Sequence, residues 1–101
     1  MLAPVGFAPL PLSAPGGYIN TAIVVKNIPF ALQRDDLIHH IISLGLPSPV
    51  ALNYHLDNGT FRGLCFANFR TPQETELVMS ILNGHEIDGR RLRVEYKKIQ
   101  P

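Results

Sequence analysis

"RGLCFANF", Arg62–Phe69, alternates without a slip: Gly63, Cys65, Ala67 and Phe69 fall on one side of an extended chain, Arg62, Leu64, Phe66 and Asn68 on the other. The first set is small or apolar and suits a packed face. The second set holds an aromatic ring and an arginine, a poor choice for mere solubility and a good one for stacking a flat partner while a cation meets its charge. The stretch therefore predicts a strand with one face buried and the other presented outward.

The neighbouring segments place this strand in a larger order. "DNGT" just before it predicts a hairpin turn, because Asn58 and Gly59 tolerate positive φ. The same Asn58-Gly59-Thr60 matches a glycosylation sequon, but with no secretory signal the turn is the better reading. Upstream, "VALNYHL" alternates Val50, Leu52, Tyr54 and Leu56 against Ala51, Asn53 and His55, so a second strand is expected with the first four inward. "AIVVKN", Ala22–Asn27, is a β-branched run closed by Ile28-Pro29 and predicts a central strand that buries Ile23 and Val25 and exposes Val24 and Lys26. Leu37, Ile41 and Leu44 mark the inner side of a helix with Asp35 and Asp36 in its first turn, Gln33 as a poor N-cap, and a stop at Gly45.

Downstream, "TPQE" predicts the firmest boundary in the chain: Thr71 caps, Pro72 suits the first helical position, and Glu74 completes a capping box. Thr75, Val78, Met79 and Leu82 line the inner side of that helix, which ends at Asn83-Gly84. After a turn at Asp88-Gly89, "RRLRVEYK" alternates again, with Leu92, Val94 and Tyr96 inward and Arg91, Arg93, Glu95 and Lys97 outward. The order is βαββαβ. Two split βαβ units with right-handed crossovers give an α+β, ferredoxin-like sandwich: a four-stranded antiparallel sheet with two helices on one face and the other face open.

Composition sets the frame. The 101 residues, 46% of them apolar, suffice for one compact domain. Residues 1–20 hold four prolines and no charged side chain, and are expected to be a flexible Pro/Gly-rich lead-in that sustains neither helix nor paired strand; the domain is expected over 21–99, with 100–101 as its end. Neither a signal peptide nor a membrane span is legible. The single Cys65 excludes an internal disulfide and a multi-cysteine zinc site, and fits a reducing compartment. Net charge is +1, but from Gly89 onward five bases face one acid, a local +4, while the remainder sums to −3. A lopsided field of this kind orients an anionic partner.

At this point the chain resembles the RNA recognition motif family over about 80 residues, Thr21 to Ile99: "IVVKNI" is similar to the signature of the family's first strand, "RGLCFANF" to that of its third, and "LNGHEIDGRRLRVEY" to the run into its fourth. More narrowly, "NIPFALQRDDL", "NYHLDNGTFRGLCFANF" and "GRRLRVEYKK" resemble fungal regulators that act on mRNA after transcription. The resemblance implies binding of single-stranded RNA, mRNA in particular, across the open sheet. It also implies that the family's three stacking positions fall on Val24, Leu64 and Phe66, leaving one ring. Because each stacked base contributes about 1–3 kcal/mol, the two missing rings predict weak binding by this domain alone.

The expected contacts are Phe66 for stacking, Val24 and Leu64 for aliphatic packing, Arg62, Lys26, Arg93, Lys97 and Lys98 for phosphates, and Asn53 and His55 for base edges. Each has a plainer reading: a ring covered by the domain's own tail or a partner protein, an arginine solvated at a turn, cations that block edge pairing. Tyr96 is assigned to the core, although it ends the last strand, where such domains meet RNA. Ile38, Ile42, Leu77 and Ile81 lie off the helices' core stripes and would offer a protein-binding patch if contiguous. The alternative function is accordingly a protein-interaction module with weak or no RNA binding, other RNA-binding proteins being its candidate partners. No cofactor, metal site or catalytic group is expected: the four histidines lack helical metal spacing, and no nucleophile, base and orienting acid can be assembled. The domain is expected to be monomeric, free of membranes, and cytoplasmic, with the nucleus open to it as a second compartment.

Overall fold

The computed structural model describes residues 16–99. Eight elements run in the order β1 (Tyr18–Lys26), α1 (Arg34–Ser43), β2 (Ala51–Asp57), β3 (Thr60–Asn68), α2 (Pro72–Leu82), β4 (Glu86–Ile87), β5 (Arg90–Arg91) and β6 (Arg93–Lys98). The main sheet is antiparallel with strand order β2-β3-β1-β6, and β4 and β5 form a separate two-stranded ribbon. Ile23 and Val25 of β1, Leu52 of β2, Cys65 and Ala67 of β3, and Val94 and Tyr96 of β6 form the packed face under Leu37, Ile41, Val78 and Leu82 of the helices. This is the expected α+β sandwich, with Tyr96 buried in the core.

The structure departs from the expected pattern at several points. The first strand begins at Tyr18, inside the stretch read as unable to pair: Tyr18 and Ile19 lie opposite Lys98 and Lys97, and the Ile99 N–H donates to the Gly17 carbonyl at 2.8 Å. The prolines stop at Pro15, so from Gly16 the backbone has every donor a ladder needs; residues 1–15 of the expected lead-in, and 100–101, lie outside the described residues. Leu44 is exposed, because the helix ends at Ser43 and Gly45, at φ +79°, turns the chain so that Leu46 is buried instead. Val50 and Leu56 are exposed rather than inward. Val50 precedes β2, and Leu56 lies beyond an irregularity in the β2–β3 register between Tyr54 and Leu56.

The last strand is also shorter than expected. Asp88 and Gly89, at φ 49° and 82°, close a two-residue hairpin that pairs Ile87 with Arg90 and Glu86 with Arg91. Arg90 and Arg91 are thereby diverted into the ribbon, and only from Arg93 does the chain join the main sheet. Helix α2 starts as expected, with the Thr71 hydroxyl accepting from the Glu74 N–H at 3.1 Å, but the Glu74 carboxylate reaches back one residue further than a capping box requires and accepts from the Arg70 N–H at 3.3 Å.

Gly63 sits in that same register irregularity, at φ +88°. Its carbonyl accepts from the Ile28 N–H at 3.0 Å, and a Cβ there would lie 2.9 Å from the Ile28 carbonyl oxygen and 3.1 Å from Phe30 Cε1. The loop leaving β1 can therefore cross β3 only where a side chain is missing. Gly63→Ala is expected to cost at least about 1–3 kcal/mol through backbone strain, with the contact to the Ile28 carbonyl adding to it. Gly59→Ala, at φ +79° in open space, incurs the conformational term alone, so in urea denaturation its midpoint should fall less.

Burial pushes the Cys65 thiol up from 9.0 to about 12, only partly offset by its hydrogen bond to the Val25 backbone. Burial likewise raises the Tyr54 phenol, whose hydroxyl donates to the Leu32 carbonyl at 2.9 Å. Since both groups are held neutral by the fold, their contribution is complete below the ordinary values of 9.0 for Cys65 and 10.0 for Tyr54, and is lost as the pH climbs beyond them. Cys65 should be inert to a thiol reagent at pH 8 in the folded domain and react at once in urea, and the urea midpoint should fall as pH is raised beyond 9.

Candidate nucleic-acid interface

The face of the main sheet away from the helices is built by the strand residues whose parity excludes them from the core. One row crosses all four strands in register: Asn53 opposite Phe66, Phe66 opposite Val24, Val24 opposite Glu95. In the next row Lys26 lies opposite Arg93. Val24, Leu64 and Phe66 form an apolar floor, with Lys26, Glu95, Lys97 and Lys98 around a shallow groove of about 560 Å³ whose edge Tyr96 completes.

Phe66 is framed on two sides. The His55 ring meets it edge-on at 6.0 Å between centroids and 89°, and the Lys97 ammonium stands 5.3 Å from its centroid. A cation over a ring is held by the ring's negative face, and a flat π system can replace it there. Lys26 Nζ donates to Glu95 Oε2 at 3.2 Å, with side chains 42% and 49% exposed, so the pair adds little to stability. It does fix where two opposite charges stand beside the apolar floor.

Of the ten residues expected at an RNA site, Val24, Lys26, Leu64, Phe66, Lys97 and Lys98 line the groove, and Asn53 and His55 adjoin Phe66. Arg93 flanks Lys26. Arg62 is exposed on β3 next to Gly63, with no ion pair or hydrogen bond from its side chain among the described residues. Glu95 was not among them: its outward parity was legible, but its place against Lys26 follows only from the β1–β6 register.

A second aromatic cluster at the end of the sheet was also missed. Phe30 is exposed after β1, meets Phe61 edge-on at 6.3 Å, and lies under the Arg90 guanidinium at 5.5 Å; Phe61 stacks on Tyr54 at 4.0 Å. Arg90 is held there by Asn27 Oδ1, which accepts from Nη2 at 2.6 Å, while Asn27 Nδ2 donates to the Arg91 carbonyl at 2.9 Å. The ribbon's diversion of Arg90 makes this contact, which the chain order alone does not reveal. His40 and His85 also meet, Nε2 to Nε2 at 2.7 Å, a hydrogen-bond distance. Among the described residues no group of three or more His, Cys, Asp or Glu could hold a metal ion, and no helix is long and apolar enough to cross a membrane.

The chain is 61% identical over 83 residues to the RNA-binding post-transcriptional regulator cip1 of Schizosaccharomyces pombe, covering 82% of this chain and 17% of that protein. It is 59% identical, again over 82% of its length, to the RNA-binding protein PIN4 of Saccharomyces cerevisiae, of which it spans 12%. The chain thus spans under a fifth of these relatives. Among solved structures it superposes on a Sex-lethal protein/RNA complex with a TM-score of 0.71 at 21% identity, covering 82% of this chain and 50% of that one. The third RNA recognition motif domain of Gbp2 gives 0.70 at 20% identity, covering 85% of each. The family model for the RNA recognition motif matches residues 23–93, and the chain belongs to that family.

Proposed function

We propose that this domain binds single-stranded RNA across the open sheet and does so within a larger post-transcriptional regulator of mRNA stability or translation. The observation that carries the reading is Phe66: an outward ring at the centre of the sheet, on an apolar floor, with the Lys97 ammonium already at its face. A base stacks on the ring, displacing Lys97 toward the phosphate that arrives with it. A second base packs on Val24 or Leu64. Arg93, Lys98 and Arg62 meet the backbone on either side, and Asn53 and His55 address base edges next to Phe66. The names of the cip1 and PIN4 relatives, which describe RNA binding, support the same reading.

With one ring where the family has three stacking positions, the domain's own affinity is low, and neighbouring domains of the longer protein supply the rest through effective concentration. A protein-binding role for this face is the weaker reading, since it gives no account of cations grouped around a half-buried, outward-facing ring. Nothing in the groove brings a nucleophile, a base and an orienting acid together, so the role proposed is recognition without catalysis.

The test is an NMR titration of the domain with a pool of short random single-stranded RNAs at several salt concentrations. Shifts should centre on Val24, Lys26, Leu64 and Phe66. With three or four phosphates neutralised, the logarithm of the association constant should fall with the logarithm of salt at a slope of roughly −2 to −3. Phe66→Ala should weaken binding by about 1–3 kcal/mol. Binding that ignores salt, or a sheet face that stays silent at millimolar RNA, would contradict the proposal.

A further inference from the structure

An acid on a surface that binds a polyanion is a cost unless it reads something. Glu95 lines the groove beside its apolar floor, directly across the β1–β6 pair from Val24, and Val24 stands directly across from Phe66. Strands in a sheet are about 4.8 Å apart, so a base lying flat on Val24 turns one edge toward the Glu95 carboxylate. Lys26 binds Oε2, and Oε1 accepts no hydrogen bond among the described residues. The side chains thus present one donor, the Lys26 ammonium, beside two acceptors, the carboxylate oxygens.

Only one RNA base has the matching edge. Guanine offers two adjacent donors, N1–H and N2–H₂, which a carboxylate grips with both oxygens, next to the O6 acceptor for an ammonium. Uracil has a single donor between two acceptors, while adenine and cytosine each offer only their amino group, so any of them leaves a carboxylate oxygen unmatched in a partly desolvated groove. We infer that Glu95, with Lys26, is a specificity-determining residue that selects guanine for the base packed on Val24. Lys26 then serves base recognition through its bond to Glu95 instead of serving as a free phosphate contact. The substitution of an aliphatic side chain for a ring at position 24 gains a purpose: the position is read by its edge more than by its stacking.

This inference rests on the RNA reading of the sheet face, and its test separates the two. Fluorescence anisotropy would compare five-nucleotide RNAs, uridine throughout except for a central guanine, inosine, adenine, cytosine or uridine, at one low salt concentration. A single guanine per strand avoids quadruplexes. The guanine RNA should bind about tenfold more tightly than the adenine or cytosine RNA, with inosine, which lacks the N2 amine, falling between. Glu95→Gln should bring the guanine and adenine RNAs to within about twofold of each other. The inosine comparison uses the unaltered protein and so stands whatever the variant does to folding. Equal binding of all five, preference for another base, or a guanine preference that survives Glu95→Gln would overturn this inference and leave the RNA platform standing. Failure of every RNA to bind would overturn the platform itself, and this inference with it.

Discussion

The pairing of β1 with β3 is the constraint on which everything else depends. Side chains alternate faces with a period of two, so the register that sets Ile23 against Ala67 and Val25 against Cys65 in the core must also set Val24 against Phe66 on the opposite face. A slip by one residue would expose the core and bury the platform together. The helices, by covering Ile23, Val25, Cys65 and Ala67, hold the register; the open face inherits its arrangement at no separate cost in design. Stability and recognition are two faces of one ladder.

Around this pair the structure spends its irregularities where the loops need them. Gly63 breaks the β2–β3 register so that the Ile28 backbone can approach β3, and the same approach brings Phe30 to the end of the sheet. The Asp88-Gly89 hairpin removes Arg90 and Arg91 from the last strand, leaving β6 to bring Arg93, Glu95 and Lys97 onto the open face. Basic charge that is continuous in the sequence is thereby divided between a groove and a ribbon. On the open face Lys26 and Glu95 neutralise each other, so its net positive charge falls to Lys97 and Lys98 in the groove, with Arg93 beside Lys26 and Arg62 beyond them.

Much of this was legible in the sequence because it rests on periodicity and on local turn chemistry. The alternation of Arg62–Phe69, the cap at Thr71 and the turn at Asn58-Gly59 each depend on residues near one another in the chain, and each is present. What escaped depends on how the chain leaves an element, or on pairing between residues far apart in sequence. Leu44 and Leu46 exchange places because a left-handed Gly45 sets the direction of the exit, and pattern alone does not say which leucine returns. Val50 and Leu56 continue the alternation of β2, yet neither is buried with Leu52. The Lys26–Glu95 and Arg90–Phe30 contacts join residues more than sixty positions apart and follow only once the β1–β6 register and the ribbon are known.

The proposed recognition turns on a base taking the face of Phe66 where Lys97 now stands. Intermolecular nuclear Overhauser effects between the Phe66 ring and the base protons of a short single-stranded RNA test it most directly. Cross-peaks are expected from the Phe66 ring to one base and from the Val24 methyls to its neighbour, with the Lys97 side chain moved off the ring. Cross-peaks confined to the helices or to the ribbon, with Phe66 and Lys97 still in contact, would contradict it.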